Sequence, residues 1–133
     1  VSVISAHRNP EDLRAFCMQH VEPEVNLHIA VAGMAAALPG VIASYARTMP
    51  VLGVALDAGL GGLDALLSIA RMPAGVPVAF MGIGKPGLYN AAIFAAQIIA
   101  YHDGQVAGRL IEFIDEGTTK KPAEIDVISS ERS

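Results

Sequence analysis

The sequence predicts an α/β fold in which a parallel sheet is covered by helices on both faces, the doubly wound class. Short apolar runs alternate with stretches of helical period along most of the 133 residues. One run, PVLGVAL at residues 50–56, is apolar throughout, which is typical of a strand buried on both faces. No repeat or linker interrupts this alternation. We therefore expect one domain over residues 1–116 and a polar C-terminal tail over residues 117–133.

The first half of the chain reads as two strand–helix pairs. Its first helix is predicted to begin at Pro10, because Asn9 is a favourable N-cap and proline fits the first helical position. The second helix likewise opens with Pro39. In this half we predict strands at residues 1–4 and 26–32 and helices at residues 10–20 and 38–47.

Glycine and proline punctuate the second half of the chain. The sequence Met72-Pro73 followed by Gly75-Val76-Pro77 indicates a tight turn that leads into a strand. Beyond that strand come one long apolar stretch and one amphipathic stretch, each of helical period. In this half we predict strands at residues 50–56 and 76–81 and helices at residues 61–70, 88–101 and 105–116.

Composition and charge exclude several classes of function. The formal net charge is −4 and the nine basic residues are scattered, so a nucleic-acid partner is not expected. Every apolar run is shorter than a membrane span needs, and no signal peptide is visible. The single cysteine, Cys17, has no disulfide partner or zinc spacing and is expected to be a buried small hydrophobe. Together these features predict a cytoplasmic protein.

Ligands of doubly wound proteins bind beyond the carboxyl ends of the strands, which selects the loops at residues 5–9, 32–39 and 56–62. In the first loop, His7 and Arg8 lie just ahead of a helix N-terminus. The partial positive charge there disfavours a protonated imidazole and attracts anions. A neutral proton-transferring histidine beside a fixed cation would follow, although local physics alone leaves an ordinary surface loop equally open.

The second loop, AGMAAALPG at residues 32–40, is built from small residues ahead of a helix start. Such a loop lets backbone N–H groups approach an anionic ligand closely, and it equally suits tight packing of a helix on a sheet. No Walker, Rossmann or GxSxG motif is present, and the remaining histidines lack the spacing of a zinc site. Hydrolase chemistry and a metal centre are therefore not supported.

Three segments together resemble the PurE family of purine biosynthesis. They are SAHRNP at residues 5–10, AGMAAALPG at residues 32–40 and GLDALLSIARMPAGVPVAFMGIGKPGLYNAAIFAAQIIAYHD at residues 62–103. They occur in the family's order, and the likeness runs from residue 1 to about residue 113. The resemblance implies a flavodoxin-like, three-layer fold and a class I 5-(carboxyamino)imidazole ribonucleotide mutase. This isomerase moves a carboxylate from the exocyclic nitrogen to C4 of the imidazole.

The resemblance also implies roles for individual residues. His7 matches the family's general acid/base, which moves a proton at the imidazole carbon, and Arg8 matches the position that holds the substrate phosphate. The residues implied to bind substrate are Ser5, Ala6, Arg8, Ala32, Gly33 and Leu38. No metal, nucleotide or biotin is implied as a cofactor. The implied partners are the ribonucleotide, carbon dioxide and further copies of the chain in a homo-octamer.

Two departures from the family pattern bear on activity. Met34 and Ala37 stand where the family's loop usually has a second glycine and a histidine. In addition, family members begin with a strand, a phosphate-binding loop and a helix that have no counterpart in these 133 residues. The resemblance thus implies a sheet that lacks its first βα unit, with that unit supplied by another chain or by a longer gene product.

Two alternatives to the mutase stay open. One is an aminoimidazole ribonucleotide carboxylase, a carboxy-lyase that adds carbon dioxide directly. The other is a non-catalytic PurE-like domain that binds a sugar phosphate or only assembles with a partner. Met34, Ala37 and the missing first loop favour the second alternative.

Overall fold

The computed structural model describes residues 1–19 and 26–117, and it has helices and strands in alternation. The strands are β1 (His28–Gly33), β2 (Val51–Leu56) and β3 (Ala79–Ile83). The helices are α1 (Pro10–Gln19), α2 (Leu38–Tyr45), α3 (Leu63–Ala70), α4 (Gly84–Ala100) and α5 (Gly104–Gly117), and a 3-10 turn, Leu60–Gly62, precedes α3.

The three strands form an open, parallel sheet in the order β1-β2-β3. The register pairs His28 with Val51 and Gly33 with Leu56, so β1 and β2 end side by side. Parallel strands flanked by helices are the α/β, flavodoxin-like arrangement that the sequence predicts, and this prediction is confirmed.

One face of the sheet carries α1, α2 and α3. Alternate residues of a strand point to opposite faces, and Ala30, Val51 and Ala55 belong to this first face. A buried cluster joins it to α1 and α2 and consists of Leu13, Cys17, Ala30, Ile42, Ala46 and Val51. A second cluster joins it to α3 and consists of Ala36, Ala55, Ala65 and Ile69. The expectation that Cys17 is a buried small hydrophobe is confirmed, because its side chain is fully buried.

The opposite face of the sheet is covered unevenly. On β2, Leu52 and Val54 point to this second face and are 1% and 0% exposed. On β1, Ile29 points the same way and is 42% exposed. Among the described residues, no strand pairs with the outer edge of β1. That edge therefore presents unpaired backbone N–H and C=O groups beside an uncovered apolar side chain.

The chain divides into two compact units, residues 1–95 and residues 96–133. In the second unit, Asp103 caps the start of α5 by accepting hydrogen bonds from the backbone N–H groups of Gln105 (2.9 Å) and Val106 (3.2 Å). Apart from Gly117, the polar tail predicted at residues 117–133 lies outside the described residues.

The strand predicted at residues 1–4 is wrong. This segment is not a strand in the structure, and Val1 and Val3 are fully exposed. A strand persists by pairing its backbone with another strand, and no described strand pairs with this segment. The apolar pattern indicates a strand, but the pairing that would hold it is missing.

Most other predicted boundaries differ from the structure by a few residues. Strand β3 begins at Ala79 rather than at Val76, because Gly75 occupies a turn at φ 90° and Pro77 has no N–H to donate to the sheet. Helix α4 begins at Gly84 rather than at Leu88, since a proline in the first turn of a helix disturbs no intrahelical hydrogen bond.

Candidate active site

The first predicted site segment, residues 5–8, forms a turn that leads directly into α1. The Ser5 hydroxyl oxygen accepts a hydrogen bond from the Arg8 backbone N–H at 3.1 Å, and the Ser5 carbonyl accepts one from the Asn9 N–H at 2.9 Å. The Asn9 carbonyl in turn accepts the Leu13 N–H at 3.1 Å, which places Asn9 at the N-cap as expected. The turn is thus locked locally, and the Ser5 hydroxyl keeps its own hydrogen for a ligand.

This turn presents His7 and Arg8 to solvent. Both residues are exposed, and Arg8 forms no ion pair with any residue that the structure describes. The first turn of α1 carries Glu11 and Asp12, whose charges offset part of the attraction of the helix N-terminus for an anion. The Arg8 guanidinium is therefore the main attraction for an anion at this turn.

The second predicted site segment follows β1 and contains two residues in the left-handed region. Met34 has φ 57° and Ala36 has φ 39°, a conformation that costs a residue other than glycine about 1–2 kcal/mol. The Ala36 N–H donates to the Gly33 carbonyl at 3.0 Å, and Ala36 itself is buried. Non-glycine residues in this region collect at functional loops, where the surrounding structure holds them.

The loop passes directly into α2, whose N-terminus is open. Ala37 is the N-cap, and no side chain caps the helix. Pro39 lacks an N–H group, so the free donors of the first turn include those of Leu38 and Gly40. Uncapped N–H groups at a helix start can bind a carboxylate or a phosphate.

Gly33 allows the loop after β2 to approach this segment. A Cβ at Gly33 would lie 2.9 Å from the Ala58 Cβ, which is closer than real Cβ atoms come. Only glycine therefore permits the loop at residues 57–62 to close against the end of β1. This proximity follows from the parallel register, which places Gly33 beside Leu56.

A hydrogen bond from α3 holds the middle of the same loop. The Ser68 hydroxyl donates to the Ala35 carbonyl at 2.5 Å, across 33 positions of the sequence. Sequence reasoning missed Ser68, because a lone serine within a helix carries no motif. The one signal in the sequence is Met34, which stands where the PurE family usually has a glycine. A residue other than glycine at this position needs a tertiary contact to hold the loop.

The structure brings some of the predicted residues together through shared packing. Ala6 and Leu38 both pack against the cluster that joins α1 and α2 to the sheet, so the His7 turn and the start of α2 flank one core. Ala32 packs instead against the cluster under α3. Asp64 lies in the first turn of α3, where its buried Oδ1 has no hydrogen-bond partner among the described residues.

Two shallow pockets on the described surface lie elsewhere, one on α1 around Arg14 and one around Arg47 and Pro77. Residues 1–19 and 26–117 contain no group of three side chains suited to hold a metal ion. Within the same ranges, every helix is too short or too polar to cross a membrane.

These features place the chain among open-sheet α/β proteins whose ligand loops lie at the carboxyl edge of the sheet. A sequence profile of the AIR carboxylase family matches residues 1–120, and the chain belongs to this family.

Curated relatives carry a more specific name. The N5-carboxyaminoimidazole ribonucleotide mutase of Escherichia coli K12 is 50% identical over 112 residues, which are 83% of this chain and 65% of that protein. The mutase of Methanocaldococcus jannaschii is 48% identical over 113 residues, covering 85% of this chain and 68% of the relative. The Bacillus subtilis mutase is 45% identical over 111 residues, with 83% and 68% covered. The chain thus spans about two thirds of the length of the relatives it matches.

Proposed function

We propose that this chain is the catalytic part of an N5-carboxyaminoimidazole ribonucleotide mutase of purine biosynthesis. The observation that carries the proposal is an identity of 45–50% to proteins of that name from two bacteria and an archaeon. The matched family region, residues 1–120, includes the His7 turn and the loop before α2. An isomerase of this kind acts on a small ribonucleotide, and carbon dioxide is an intermediate of the reaction.

The reaction can be written with every atom accounted for. The bond between the exocyclic nitrogen and its carboxylate breaks, carbon dioxide is released within the site, and the nitrogen takes up a proton from His7 acting as general acid. C4 of the imidazole then bonds to the carbon dioxide and loses its own proton. His7 accepts that proton as general base, a role that contributes about 10²–10⁴-fold in rate. The chemistry requires no metal, nucleotide or biotin.

The other predicted residues bind the substrate. Arg8 holds the phosphate, as its exposure and the absence of an ion pair with described residues allow. The Ser5 hydroxyl donates its hydrogen to the ligand, because its oxygen already accepts a hydrogen bond from the Arg8 N–H. Ala6 lines the site next to Ser5. Ala32, Gly33 and Leu38 surround the imidazole and the migrating carboxylate.

The carboxylase and the silent domain are the alternatives. The family profile carries the name AIR carboxylase, which favours direct carboxylation as the second candidate. The left-handed Met34 and the absence of a histidine at Ala37 favour a domain that binds without turnover.

One assay separates the three functions. The protein is incubated first with the carboxyamino ribonucleotide and then with aminoimidazole ribonucleotide plus bicarbonate, and the C-carboxylated product is measured. Turnover of the first substrate supports the mutase, and turnover of the second alone supports the carboxylase. Ligand binding with neither turnover identifies the silent domain.

The role of His7 is tested by His7→Asn, with His102→Asn as a matched control because both histidines are exposed. We expect kcat to fall about 10²–10⁴-fold in the first variant and to stay at the wild-type level in the second. Unchanged turnover in His7→Asn would contradict the assignment of the general base.

The loop departure is tested by Met34→Gly. Glycine adopts φ 57° freely, so we expect the free energy of unfolding to rise by about 0.5–1 kcal/mol after the greater entropy of the unfolded glycine chain is counted. Met34 is 65% exposed, so little packing is lost. A higher kcat in this variant supports an impaired mutase, whereas no turnover in either form supports the silent domain.

The open edge of β1 accepts a further parallel strand from a βα unit outside these 133 residues. The strand sequence HIAVAG has apolar residues on both faces and no acid, lysine or arginine to guard an edge. Ile29 is uncovered, and the exposed apolar segment at residues 1–4 offers a second strand to pair with the added one. The longer relatives have residues enough for such a unit.

Co-expression tests this partner. The chain is produced alone and together with the residues of the E. coli relative that the match leaves uncovered. A stable complex with amide protection of β1 supports the added unit. A homodimer of the chain alone with the same protection would show that a second copy covers the edge instead.

From the resemblance to the PurE family, we also propose that the protein forms a homo-octamer and that it is cytoplasmic. Light scattering of the chain in complex with the added βα unit measures the oligomeric state. A monomer at micromolar concentration would contradict it.

A further inference from the structure

We propose that Ser68 is a positioning residue of the candidate site, holding the loop at residues 34–37 so that carbon dioxide stays in place between the two halves of the reaction. This inference rests on the proposed mutase function. The sequence around Ser68 carries no motif that implies a role in the reaction. Ser68 contacts the site only through its hydrogen bond to the loop.

The first step of the argument is that the loop cannot hold its shape by local preference. Met34 and Ala36 both have positive φ, which their side chains disfavour, and Ala35 lies between them. One local hydrogen bond, from the Ala36 N–H to the Gly33 carbonyl at 3.0 Å, closes the turn. A conformation of this kind persists only when tertiary contacts over-determine it.

The second step is that Ser68 supplies such a contact from a rigid base. Its neighbours Ala65 and Ile69 are fully buried under the sheet, so α3 is anchored on both sides of the serine. The Ser68 hydroxyl reaches the Ala35 carbonyl at 2.5 Å, between the two left-handed residues. The hydrogen bond therefore acts at the point where the loop would otherwise relax.

The third step links the loop to the chemistry. Residues 34–37 join Gly33 to Leu38, both implied to surround the carboxylate, and the loop ends at the uncapped start of α2. A loop that opens during the reaction lets carbon dioxide escape and leaves aminoimidazole ribonucleotide behind. Loosening the loop should thus increase the leak of carbon dioxide more than it weakens substrate binding.

The test compares Ser68→Ala, Ser68→Thr and a matched control, Ser44→Ala. Ser44 donates a hydrogen bond to the Val41 carbonyl at 2.7 Å within its own helix, so the control removes a serine hydroxyl without touching the loop. Ser68→Thr keeps the hydroxyl and should restore wild-type behaviour. The full chain is used, with its complementing unit where turnover requires one.

Two readouts are measured. Hydrogen exchange at the amides of residues 34–38 should be about tenfold faster in Ser68→Ala than in Ser44→Ala, the change expected for one lost hydrogen bond. With the carboxyamino ribonucleotide as substrate, the ratio of aminoimidazole ribonucleotide released to carboxylated product should rise several-fold, about as far as the loop opens, while KM changes less than kcat.

The outcomes separate this inference from the function on which it rests. Faster exchange together with a greater leak, both reversed in Ser68→Thr, supports the positioning role. Unchanged exchange overturns it, and so does faster exchange with an unchanged leak, which leaves the mutase assignment intact. If the wild type converts neither ribonucleotide, the proposed function fails and exchange alone decides whether Ser68 holds the loop.

Discussion

Strands β1 and β2 have similar sequences and opposite surroundings. HIAVAG and VLGVAL are both apolar strands without charged residues. Five of the six residues of β2 are buried, whereas on β1 only His28 and Ala30 are. The difference arises because β2 has a strand on each side and β1 has one on a single side. A strand whose sequence is typical of the sheet interior thus lies at an edge, and this is the edge at which we propose that the added βα unit pairs.

The largest expected effect comes from truncating matched side chains on the second face. Leu52→Ala on β2 should lower the free energy of unfolding by about 2–5 kcal/mol, because Leu52 is fully buried. Ile29→Ala on β1 should cost about 1 kcal/mol or less in the chain alone. Urea denaturation measures both.

The variants Leu52→Ala and Ile29→Ala are also compared in the complex with the added βα unit. If that unit covers β1, the cost of Ile29→Ala should rise toward the cost of Leu52→Ala. An unchanged cost in the complex would mean that the second face of β1 stays open to solvent.

An intermediate effect is expected from alanine substitutions at two glycines, Gly53 in β2 and Gly40 in α2. A methyl group at Gly53 of β2 would lie 2.5 Å from the Ile69 Cγ2, so Gly53→Ala should cost about 1–3 kcal/mol. At Gly40 the nearest atom is the Met72 sulfur at 2.9 Å, at the flexible end of a side chain. Gly40→Ala should therefore be nearly neutral in thermal denaturation, and equal losses at both glycines would contradict the close approach at β2.

The smallest effect concerns the first face, where β1 and β2 are covered alike. Cys17 packs with Ala30 of β1 and Val51 of β2, and burial raises the pKa of its thiol above the ordinary value. The unfolded chain ionises this thiol first, so its contribution to stability is complete below the ordinary thiol pKa and declines as pH rises above it.

Urea titrations at neutral and alkaline pH, compared with Cys17→Ala, measure this difference. Native Cys17 should also resist alkylation until the chain unfolds. Rapid labelling of the native protein would show that the first face of β1 is open as well.

Much of the fold could be predicted from the sequence because each element carries its own local signal. Pro10 after Asn9 marks the start of α1, and the apolar period predicts all three observed strands within a few residues. The segment at residues 1–4 shows the limit of such signals, since an apolar pattern does not provide a pairing partner.

The candidate site was predictable in part. The His7 turn and the small-residue loop could be located, because strand ends and helix starts are visible in the sequence. The left-handed conformation of Ala36 and the hydrogen bond from Ser68 could not be predicted. The hydrogen bond joins residues 33 positions apart, and both features depend on how α3 lies on the sheet.

By itself, the sequence determined the alternation of strands and helices, the family resemblance and the residues at each loop. These properties depend on side-chain chemistry and short spacings, which act within a few residues of the chain. The tertiary structure alone decided which strand lies at the edge, which face stays uncovered and what holds the loop at residues 34–37. Those properties depend on pairing and packing between distant segments, and no local pattern specifies them.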